Sequence, residues 1–379
     1  MGEVPIGGRC DPGFEAVREA FARNFAEEGE VGAAVTVIID GVEVVDLHGG
    51  WADEARTLPW QPDSIVNFYS VGKGLVALLA LQLVDDGRLD LDAPVADVWP
   101  EFAAGGKGTI TVRQAFSHQG TVPAIRELLT NDAIWDWDRI CAAIAATPPW
   151  WEPGTRHAYH TNTYGHLLGE LIRRATGELP GTALRRVAEE VDADVWFGVP
   201  PEEQARCAEL IWAPGGDLSG MFDFAALQGD VLMEMMSYAN PPGIASMGVV
   251  NTPEWRSAQV PSTNGHGTAN GVARIYAALL QPGRLLSPEL LAEATRPQST
   301  GPCPILHDEM SFGLGFQPTT PHRPFGPNPG SFGHFGTGGS LGMADPTAGV
   351  AFGYVMNHVK PRWQSTRNKA LLAAVYASL

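Results

Sequence analysis

The chain places a lysine at the start of its longest apolar run, and this feature restricts the fold more than any other. The run from Leu75 to Val84 predicts a buried helix, and Lys73 lies at its first turn, where a charge is costly unless paired. Ser70 stands three residues earlier, so both side chains project from one helix face. The pair is typical of an activated serine nucleophile, although a serine near one of four lysines is also compatible with coincidence.

The composition excludes several classes of protein. A chain of 379 residues is long enough for one elaborate domain or two, and 44% hydrophobic and 18% charged residues are typical of a globular enzyme. The 43 acidic and 25 basic residues give a formal charge of −18. Phosphate backbones and anionic membranes repel such a chain, so we expect no nucleic-acid partner and no membrane partner.

We expect no metal centre, disulfide framework or export segment. The four cysteines show no CxxC pairing and are expected to be buried thiols: Cys10, Cys141, Cys207 and Cys303. Three histidines fit no standard zinc spacing and lack an acidic companion: His157, His160 and His166. The first residues lack the continuous apolar segment of a secretory signal, and the longest apolar run is about half of what spans a bilayer. We therefore predict a cytoplasmic protein without a metal or another cofactor.

The first part of the chain predicts a helix and a hairpin, and the middle is mainly helical. Apolar residues recur at helical spacing from Phe14 to Glu27, and two β-branched runs within residues 32–47 predict a hairpin that turns at Asp40-Gly41. Helical patterns dominate from about Gly74 to Gln298, and the clearest are 75–86, 139–146, 164–176 and 272–280.

The C-terminal part predicts mainly strands. Residues 297–329 are dense in proline and glycine, which predicts a loop around one short strand from Phe312 to Phe316. Two further strands, joined by a turn at Asp345-Pro346, and a closing helix are predicted at 330–339, 348–356 and 370–379.

These patterns predict an α/β (α+β) architecture. An antiparallel sheet flanked by helices is built from both chain ends, residues 1–74 and 305–379. A mainly helical domain over residues 75–304 is inserted between them and carries the loops of a substrate pocket.

A second polar segment, residues 153–165, contains Tyr159 between a Pro-Gly turn and the start of an apolar-periodic helix. This polar segment is a second candidate place for chemistry. A loop tyrosine that caps a core is an equally simple interpretation.

A third segment contains a literal G-x-S-x-G sequence at Gly338, Ser340 and Gly342. A nucleophile elbow requires a strand, a sharp turn and then a helix, so that the serine is exposed at the helix start. Here a second β-rich run follows the turn. We therefore interpret Ser340 as a structural serine and not as the nucleophile.

The three segments match the ordered motifs of a known group of proteins. Ser70-Val71-Gly72-Lys73 matches S-x-x-K, Tyr159 matches the tyrosine of Y-x-N, and His334-Phe335-Gly336 stands in the place of K-T-G. Residues 85–95 and 117–121 resemble the segment after the first motif and the S-H-x-x-G stretch. The chain thus resembles the serine hydrolases of the class C β-lactamase and penicillin-binding-protein superfamily, and most closely the family VIII carboxylesterases. This resemblance implies a β-lactamase/transpeptidase-like fold.

The resemblance also implies catalytic roles. Ser70 would attack an ester carbonyl and form an acyl-enzyme, with Lys73 or Tyr159 as the general base. The backbone N–H groups of Ser70 and Thr337 would form the oxyanion hole. A lysine cation about 4 Å from a phenolate contributes on the order of 4 kcal/mol at an effective dielectric of 20, so we expect Lys73 to lower the pKa of Tyr159 and to titrate with it.

A substrate pocket is predicted around these groups. The residues expected to line it are His334, Gly336, Thr161, Asn162, Trp135, Trp151 and Asn264. The tryptophans are equally suited to closing the helical core. Thr161 stands where Y-x-N has asparagine, and His334 stands where K-T-G has the lysine that meets a β-lactam carboxylate. Both departures favour esters over anionic β-lactams.

The sequence therefore predicts a carboxylesterase-type serine hydrolase whose partner is a small-molecule ester. An acyltransferase, an amidase or D-aminopeptidase, or a weak β-lactamase would use the same site, and a non-catalytic scaffold of the same fold is a further alternative. The sequence leaves several points open: the natural substrate, the acyl-chain preference, the stereoselectivity, a homo-oligomeric state, and the choice between Lys73 and Tyr159 as base.

Overall fold

An antiparallel sheet forms the centre of the computed structural model, which describes residues 4–212, 224–360 and 365–379. The strands are β1 Ile6–Cys10, β2 Gly32–Ile39, β3 Val42–Gly50, β4 Val66–Asn67, β5 Val195–Trp196, β6 Ile211–Trp212, β7 His266–Gly267, β8 Ser299–Cys303, β9 Asp308–Phe312, β10 Gln317–Pro318, β11 Phe332–Phe335, β12 Leu341–Asp345, β13 Val350–Met356 and β14 His358–Val359.

The helices surround this sheet and fill the middle of the chain. They are α1 Glu15–Glu27, α2 Val71–Asp85, α3 Val95–Val98, α4 Val112–Phe116, α5 Trp137–Ala146, α6 Thr163–Thr176, α7 Pro180–Glu190, α8 Gly229–Ala239, α9 Pro253–Ser257, α10 Ala269–Leu279, α11 Pro288–Thr295 and α12 Thr366–Ala377. Short 3₁₀ turns lie at Pro100–Gly106, Asn131–Trp135, Pro201–Arg206, Phe224–Ala226 and Thr337–Gly339.

The main sheet has the strand order β1-β3-β2-β13-β12-β11-β10, and each neighbouring pair is antiparallel. The two chain ends therefore meet where β2 pairs with β13. This arrangement confirms the predicted fold class of an antiparallel sheet built from both ends and flanked by helices. The domain boundaries at residues 74/75 and 304/305 stay a prediction.

Helices cover both faces of the sheet because its central strands are apolar on both sides. Val35 and Val37 face the cluster that holds α1 and α12, whereas Ile38 belongs to the cluster that holds α10. Gly353 on β13 allows α10 to approach closely, since a Cβ there would lie 2.1 Å from the backbone oxygen of Ala269.

Helix α2 runs through the larger core and positions Ser70 and Lys73 at its start. Its residues from Val71 to Leu81 are all buried, as expected for a helix that is apolar on every side. It packs against α6, α7 and β11. Helix α2 therefore lies beside β11, the strand that carries His334 and is second from the sheet edge.

The hairpin at Asp40-Gly41 is confirmed, with φ angles of 49° and 79° at the two turn residues. The predicted strand from Phe312 to Phe316 is wrong. The strand lies earlier, at β9, and pairs with β8, which the proline- and glycine-rich pattern concealed. Gly315 turns the chain with φ at 85°, and a Cβ there would lie 2.0 Å from Ala77 Cβ.

The prediction of two strands over 330–339 and 348–356 is also incomplete. The structure has three strands here, because β12 follows the 3₁₀ turn at 337–339 and pairs with both β11 and β13. The β12 segment Leu341–Asp345 contains no β-branched residue, so its composition carried little strand signal. The predicted turn at Asp345-Pro346 connects β12 to β13, as expected.

Candidate active site

Ser70 and Lys73 lie together at the start of α2. Ser70 is the residue before the helix, and Tyr69, with φ at 51°, makes the turn into it. Lys73 is fully buried, and its Nζ lies 3.1 Å from Ser70 Oγ, 2.6 Å from the Thr161 carbonyl oxygen and 3.0 Å from the Ser262 carbonyl oxygen. Burial lowers the pKa of Lys73 well below its ordinary value of 10.5. The amine is thus poised beside the hydroxyl with a bias toward its neutral form.

Tyr159 is the second group that reaches this place. Lys73 Nζ lies 4.7 Å from the centre of the Tyr159 ring, and Tyr159 and Ser70 line the same cavity. Burial, the largest influence, raises the pKa of Tyr159 above its usual range, although the proximity of Ser70 and the Arg323 charge act in the opposite direction. The expected lowering of this pKa by Lys73 is therefore wrong, because the sequence did not show how deeply both groups are buried.

The backbone around Tyr159 is held by acceptors on each side. The Ala158 N–H donates to the His118 carbonyl oxygen at 3.1 Å, and the His160 N–H donates to His118 Nδ1 at 3.1 Å. The Tyr159 N–H donates to Cys303 Sγ at 3.3 Å. The His118 ring also packs 4.9 Å from the Tyr159 ring. His118 thus fixes the position of the tyrosine from two directions, with a ring that must stay neutral at Nδ1 to accept.

His334 lies on β11 with its ring 6.3 Å from the Tyr159 ring. Its Nδ1 donates to the Phe335 carbonyl oxygen at 2.7 Å, and its Nε2 accepts from Gln317 Nε2 at 3.5 Å. Burial, with a smaller contribution from the Lys73 charge, lowers the pKa of His334 to about 3. The imidazole is therefore neutral and contributes hydrogen bonds, not positive charge, in the place of the K-T-G lysine.

The two residues predicted to supply oxyanion donors lie at the same cavity. Ser70 and Thr337 both line the cavity at the nucleophile. Within the described residues, neither backbone N–H donates to another protein group. The structure thus brings both predicted residues to the nucleophile, and their role as oxyanion donors stays a prediction.

The cavity at Ser70 has a volume of about 80 Å³. Its lining consists of Ser70, Tyr159, Thr161, Tyr238, Leu306, Gln317, Arg323, Phe335 and Thr337. Larger clefts lie elsewhere, such as one of about 450 Å³ between α2 and α7, where the hydroxyl of Ser287 caps α11 and donates to the Asp85 carboxylate at 2.5 Å. The chemistry of the lining, and not the volume, identifies the small cavity as the candidate site.

The predicted pocket residues lie at different distances from this cavity. Thr161 lines it. Asn162 instead donates to the Ser237 carbonyl oxygen at 2.6 Å, and Asn264 donates to the carbonyl oxygens of Trp255 and Ala258 at the end of α9. Trp135 ends a 3₁₀ turn with 39% of its surface exposed, and Trp151 packs edge-on against His160; neither lines the cavity.

Gly336 and Ser340 hold the turn beside the site. A Cβ at Gly336 would lie 2.1 Å from Ser340 Oγ and 2.4 Å from the Phe68 carbonyl oxygen, so only glycine fits. Ser340 is fully buried and donates to that carbonyl oxygen at 2.8 Å. It lies between two strands and anchors the sheet to the segment before Ser70, in agreement with the structural interpretation.

Several lining residues were missed by the sequence reasoning. Arg323, Gln317 and Leu306 come from the segment interpreted as loop, and Tyr238 lies near the end of α8. None belongs to a motif. The only sequence feature that could have suggested a role for this segment is its single arginine, and a lone arginine does not indicate which part of the fold it contacts.

The histidines and cysteines show no metal chemistry among the described residues. His160 bonds the Ala158 carbonyl oxygen and the Val122 N–H, and no group of three potential metal ligands is found in that part of the chain. All four cysteines are free thiols, but only Cys141 and Cys303 are buried; Cys10 and Cys207 are partly exposed, in contrast to the expectation. No helix in the described ranges has the length and apolar character that crossing a membrane would need.

Comparisons with known proteins agree with this geometry. The beta-lactamase family pattern matches residues 17–377. The esterase/beta-lactamase LipL of Mycobacterium tuberculosis is 34% identical over 372 residues, which are 93% of this chain and 83% of that protein. A crystal structure of a family VIII carboxylesterase is 37% identical, with a TM-score of 0.91 over 99% of this chain and 100% of its own. A penicillin-binding protein homologue from Caulobacter crescentus is 39% identical, with a TM-score of 0.90 over 99% of this chain and 100% of its own.

The family pattern matches nearly the whole chain, and the 34% identity to LipL also extends over 93% of it. The chain therefore belongs to the beta-lactamase family, as a serine hydrolase of the carboxylesterase type.

Proposed function

We propose that the protein hydrolyses small carboxylic esters through an acyl-enzyme on Ser70. The observation that carries this proposal is the environment of Lys73 Nζ, a buried amine 3.1 Å from Ser70 Oγ. The esterases among the similar proteins support an ester as the substrate.

The hydrogen-bond partners of Lys73 favour it as the base in the first step. Its two carbonyl neighbours, Thr161 and Ser262, can only accept hydrogen bonds. A neutral amine has two N–H groups and one lone pair. When both N–H groups donate to the carbonyl oxygens, the lone pair faces the Ser70 hydroxyl and accepts its proton as the serine attacks.

Tyr159 completes the proton path in this proposal. Because burial raises its pKa, the phenol is protonated and can donate to the departing alkoxide. The Lys73 ammonium then returns a proton to the phenolate, so the net transfer moves the serine proton to the alcohol. Water releases the acid from Ser70 by the same path in reverse.

The oxyanion hole supplies the other large contribution. The N–H groups of Ser70 and Thr337 would stabilise the tetrahedral oxyanion, and a donor of this kind contributes roughly 3 to 4 kcal/mol in other acyl-transfer enzymes. Since the Thr337 donor belongs to the backbone, Thr337→Ala keeps it, whereas Ser70→Ala removes the nucleophile.

A serine-directed fluorophosphonate tests the proposal. We expect stoichiometric labelling at Ser70, located by mass spectrometry of the labelled peptide, and no label in Ser70→Ala. Ser340→Ala is the matched control, because it removes a serine of the neighbouring turn. Absence of any label would indicate a non-catalytic scaffold, and a label on Ser340 would refute the assignment.

Substrate assays separate the reactions that share the acyl-enzyme. We expect p-nitrophenyl esters to be cleaved faster than an anilide amide or nitrocefin. Faster cleavage of nitrocefin than of short esters would indicate a β-lactamase, and accumulation of a transfer product with added alcohol would indicate an acyltransferase.

We also propose a cytoplasmic location and no nucleic-acid partner. Cell fractionation tests the location, and an electrophoretic mobility shift assay tests nucleic-acid binding.

A further inference from the structure

Gln317 brings a hydrogen-bond acceptor without a partner to the cavity at Ser70. It is the first residue of β10, is 4% exposed and lines that cavity. Within the described residues, its side-chain oxygen Oε1 is buried and accepts no hydrogen bond. Buried polar atoms of proteins are nearly always paired, so this oxygen beside the nucleophile requires an explanation.

His334 determines which end of the Gln317 amide is left without a partner. The Phe335 carbonyl oxygen can only accept, so the His334 Nδ1 that lies 2.7 Å from it carries the ring proton. Burial lowers the pKa of His334 to about 3, so the ring is neutral and its Nε2 is an acceptor. The Gln317 group 3.5 Å from that Nε2 is therefore the amide N–H. A flipped amide would set two acceptors against each other, so Oε1 is the end that remains unpaired.

The surroundings of this oxygen favour a small, neutral donor as its partner. A substrate ammonium would exchange its water shell for a single amide oxygen, which is unfavourable for a full charge. The cavity has a volume of about 80 Å³, so a bulky donor such as a second amide group does not suit it. A hydroxyl adds one heavy atom and supplies one O–H donor. The hydroxyl is therefore the substrate group that this acceptor fits best.

We propose that Gln317 Oε1 accepts a hydrogen bond from a hydroxyl of the substrate, so that the preferred substrates are hydroxy esters. This inference rests on the proposed ester hydrolysis at Ser70 and names the substrate class of the same site. A hydroxyl that reaches Oε1 pairs it, whereas an apolar group of the same size covers it and leaves it unpaired. The hydroxyl belongs to either the acyl or the alcohol portion, and the experiment distinguishes the two.

The test compares each hydroxy ester with two counterparts that lack the donor. For the acyl portion, ethyl 3-hydroxybutyrate is compared with ethyl 3-methylbutyrate, in which a methyl group replaces the hydroxyl, and with ethyl 3-methoxybutyrate, which keeps the oxygen but cannot donate. For the alcohol portion, 2-hydroxyethyl butyrate is compared with propyl butyrate and 2-methoxyethyl butyrate. In the wild-type protein we expect kcat/KM for one hydroxy ester to exceed both of its counterparts by about three- to tenfold, the effect of one neutral hydrogen bond.

Variants assign this preference to the Gln317 side chain. Gln317→Met keeps the length and apolar stem but removes the acceptor, so the preference is expected to fall by about threefold or more. Gln317→Glu keeps an acceptor at the same place and is expected to retain the preference, whatever its effect on the overall rate through His334. Gln82→Met is the matched control, because Gln82 is a half-buried glutamine near the other end of α2 and lines the separate cleft between α2 and α7. Its preference is expected to equal that of the wild type.

The wild-type protein alone can overturn the inference. Equal kcat/KM for the hydroxy esters and their methyl counterparts overturns it and leaves ester hydrolysis intact. Equal kcat/KM for the hydroxy and methoxy esters also overturns it, because the substrate oxygen then acts as an acceptor and not as a donor. When no ester is cleaved, the proposed function fails, and the hydroxyl inference fails with it.

The variants give two further contrary outcomes. A preference that persists in Gln317→Met, even with a uniform loss of rate on all esters, overturns the inference in favour of another group of the cavity. A preference that disappears in Gln317→Glu contradicts it, since an acceptor is still present. When Gln317→Met does not fold, the wild-type comparison and Gln317→Glu decide the outcome.

Discussion

Replacing Lys73 separates the two roles that a buried amine can have, proton acceptor or fixed cation. Lys73→Met keeps the length and apolar stem of the side chain and removes the amine. Lys73→Arg keeps a positive charge but cannot accept a proton, because the guanidinium does not lose its proton in proteins. A general base contributes about 10²- to 10⁴-fold to a rate, or roughly 2.7 to 5.5 kcal/mol. If Lys73 is the base, both variants lose activity within this range.

The effect on stability is expected to be smaller than the effect on rate. Lys73→Met leaves the carbonyl oxygens of Thr161 and Ser262 without their donor, at about 1 to 3 kcal/mol each. The same change removes a desolvated amine, whose lowered pKa costs about 1.4 kcal/mol for each unit below its unfolded value. These contributions have opposite signs, so the variant is expected to remain folded, which thermal unfolding checks.

The pH dependence gives the sign of the Lys73 contribution. The unfolded chain binds a proton at Lys73 up to about pH 10.5, whereas the folded chain loses it at lower pH because burial lowers the pKa. The free energy of unfolding therefore rises with pH between the two pKa values, and Lys73→Met lacks this rise. Likewise kcat/KM is expected to fall as the pH falls through the lowered pKa, because only the neutral amine accepts a proton.

Steady-state hydrolysis of p-nitrophenyl acetate over the neutral and alkaline range measures these effects, with fluorophosphonate labelling rates as a second readout of acylation. If Lys73→Arg retains more than about a tenth of the wild-type kcat/KM, the reasoning is refuted, because arginine supplies charge but no base. That result would assign the base to Tyr159 and leave Lys73 as its cation.

Three further substitutions test the surroundings of the site. Ser340→Ala removes a buried donor and is expected to lower the free energy of unfolding by about 1 to 3 kcal/mol in denaturant melts, while labelling at Ser70 persists. Arg367→Met leaves the buried Glu30 without its cationic partner at 2.8 Å and is expected to cost about 3 to 5 kcal/mol. The deficit is expected to be smaller at acidic pH, where the carboxyl binds a proton, and a deficit that does not change with pH would contradict this. His118→Phe is expected to lower kcat about tenfold or more with little change in KM, because it removes the acceptor of the His160 N–H beside Tyr159. His118→Asn restores a side-chain acceptor and is expected to recover part of the lost kcat.

The sequence was most informative where the determining interactions are local. The apolar run after Lys73 predicted a buried helix, and helical spacing alone placed Ser70 beside Lys73. The hairpin at Asp40-Gly41 followed from the turn chemistry of two adjacent residues. The place of Tyr159 beside them depended on the family resemblance, because no local pattern brings residues 73 and 159 together.

What the sequence did not show depends on burial and on contacts between distant segments. The pKa of Tyr159 was predicted to fall, because the argument counted a nearby charge and could not count desolvation. Arg323 reaches the cavity from a loop whose proline and glycine content indicates irregular backbone but no destination. Strand β12 was missed because its residues have low strand propensity and are held by their neighbours β11 and β13.

Burial also explains why a histidine is suited to position 334. At rest the amine of Lys73 and the imidazole of His334 are biased toward neutrality and the phenol of Tyr159 toward protonation, so the three groups carry little charge into the core. In the proposed mechanism, attack by Ser70 then creates an ammonium at Lys73 as the oxyanion forms. A lysine at position 334 would place a second cation near that ammonium and oppose its formation. The neutral imidazole keeps the hydrogen bond to Gln317 without this repulsion.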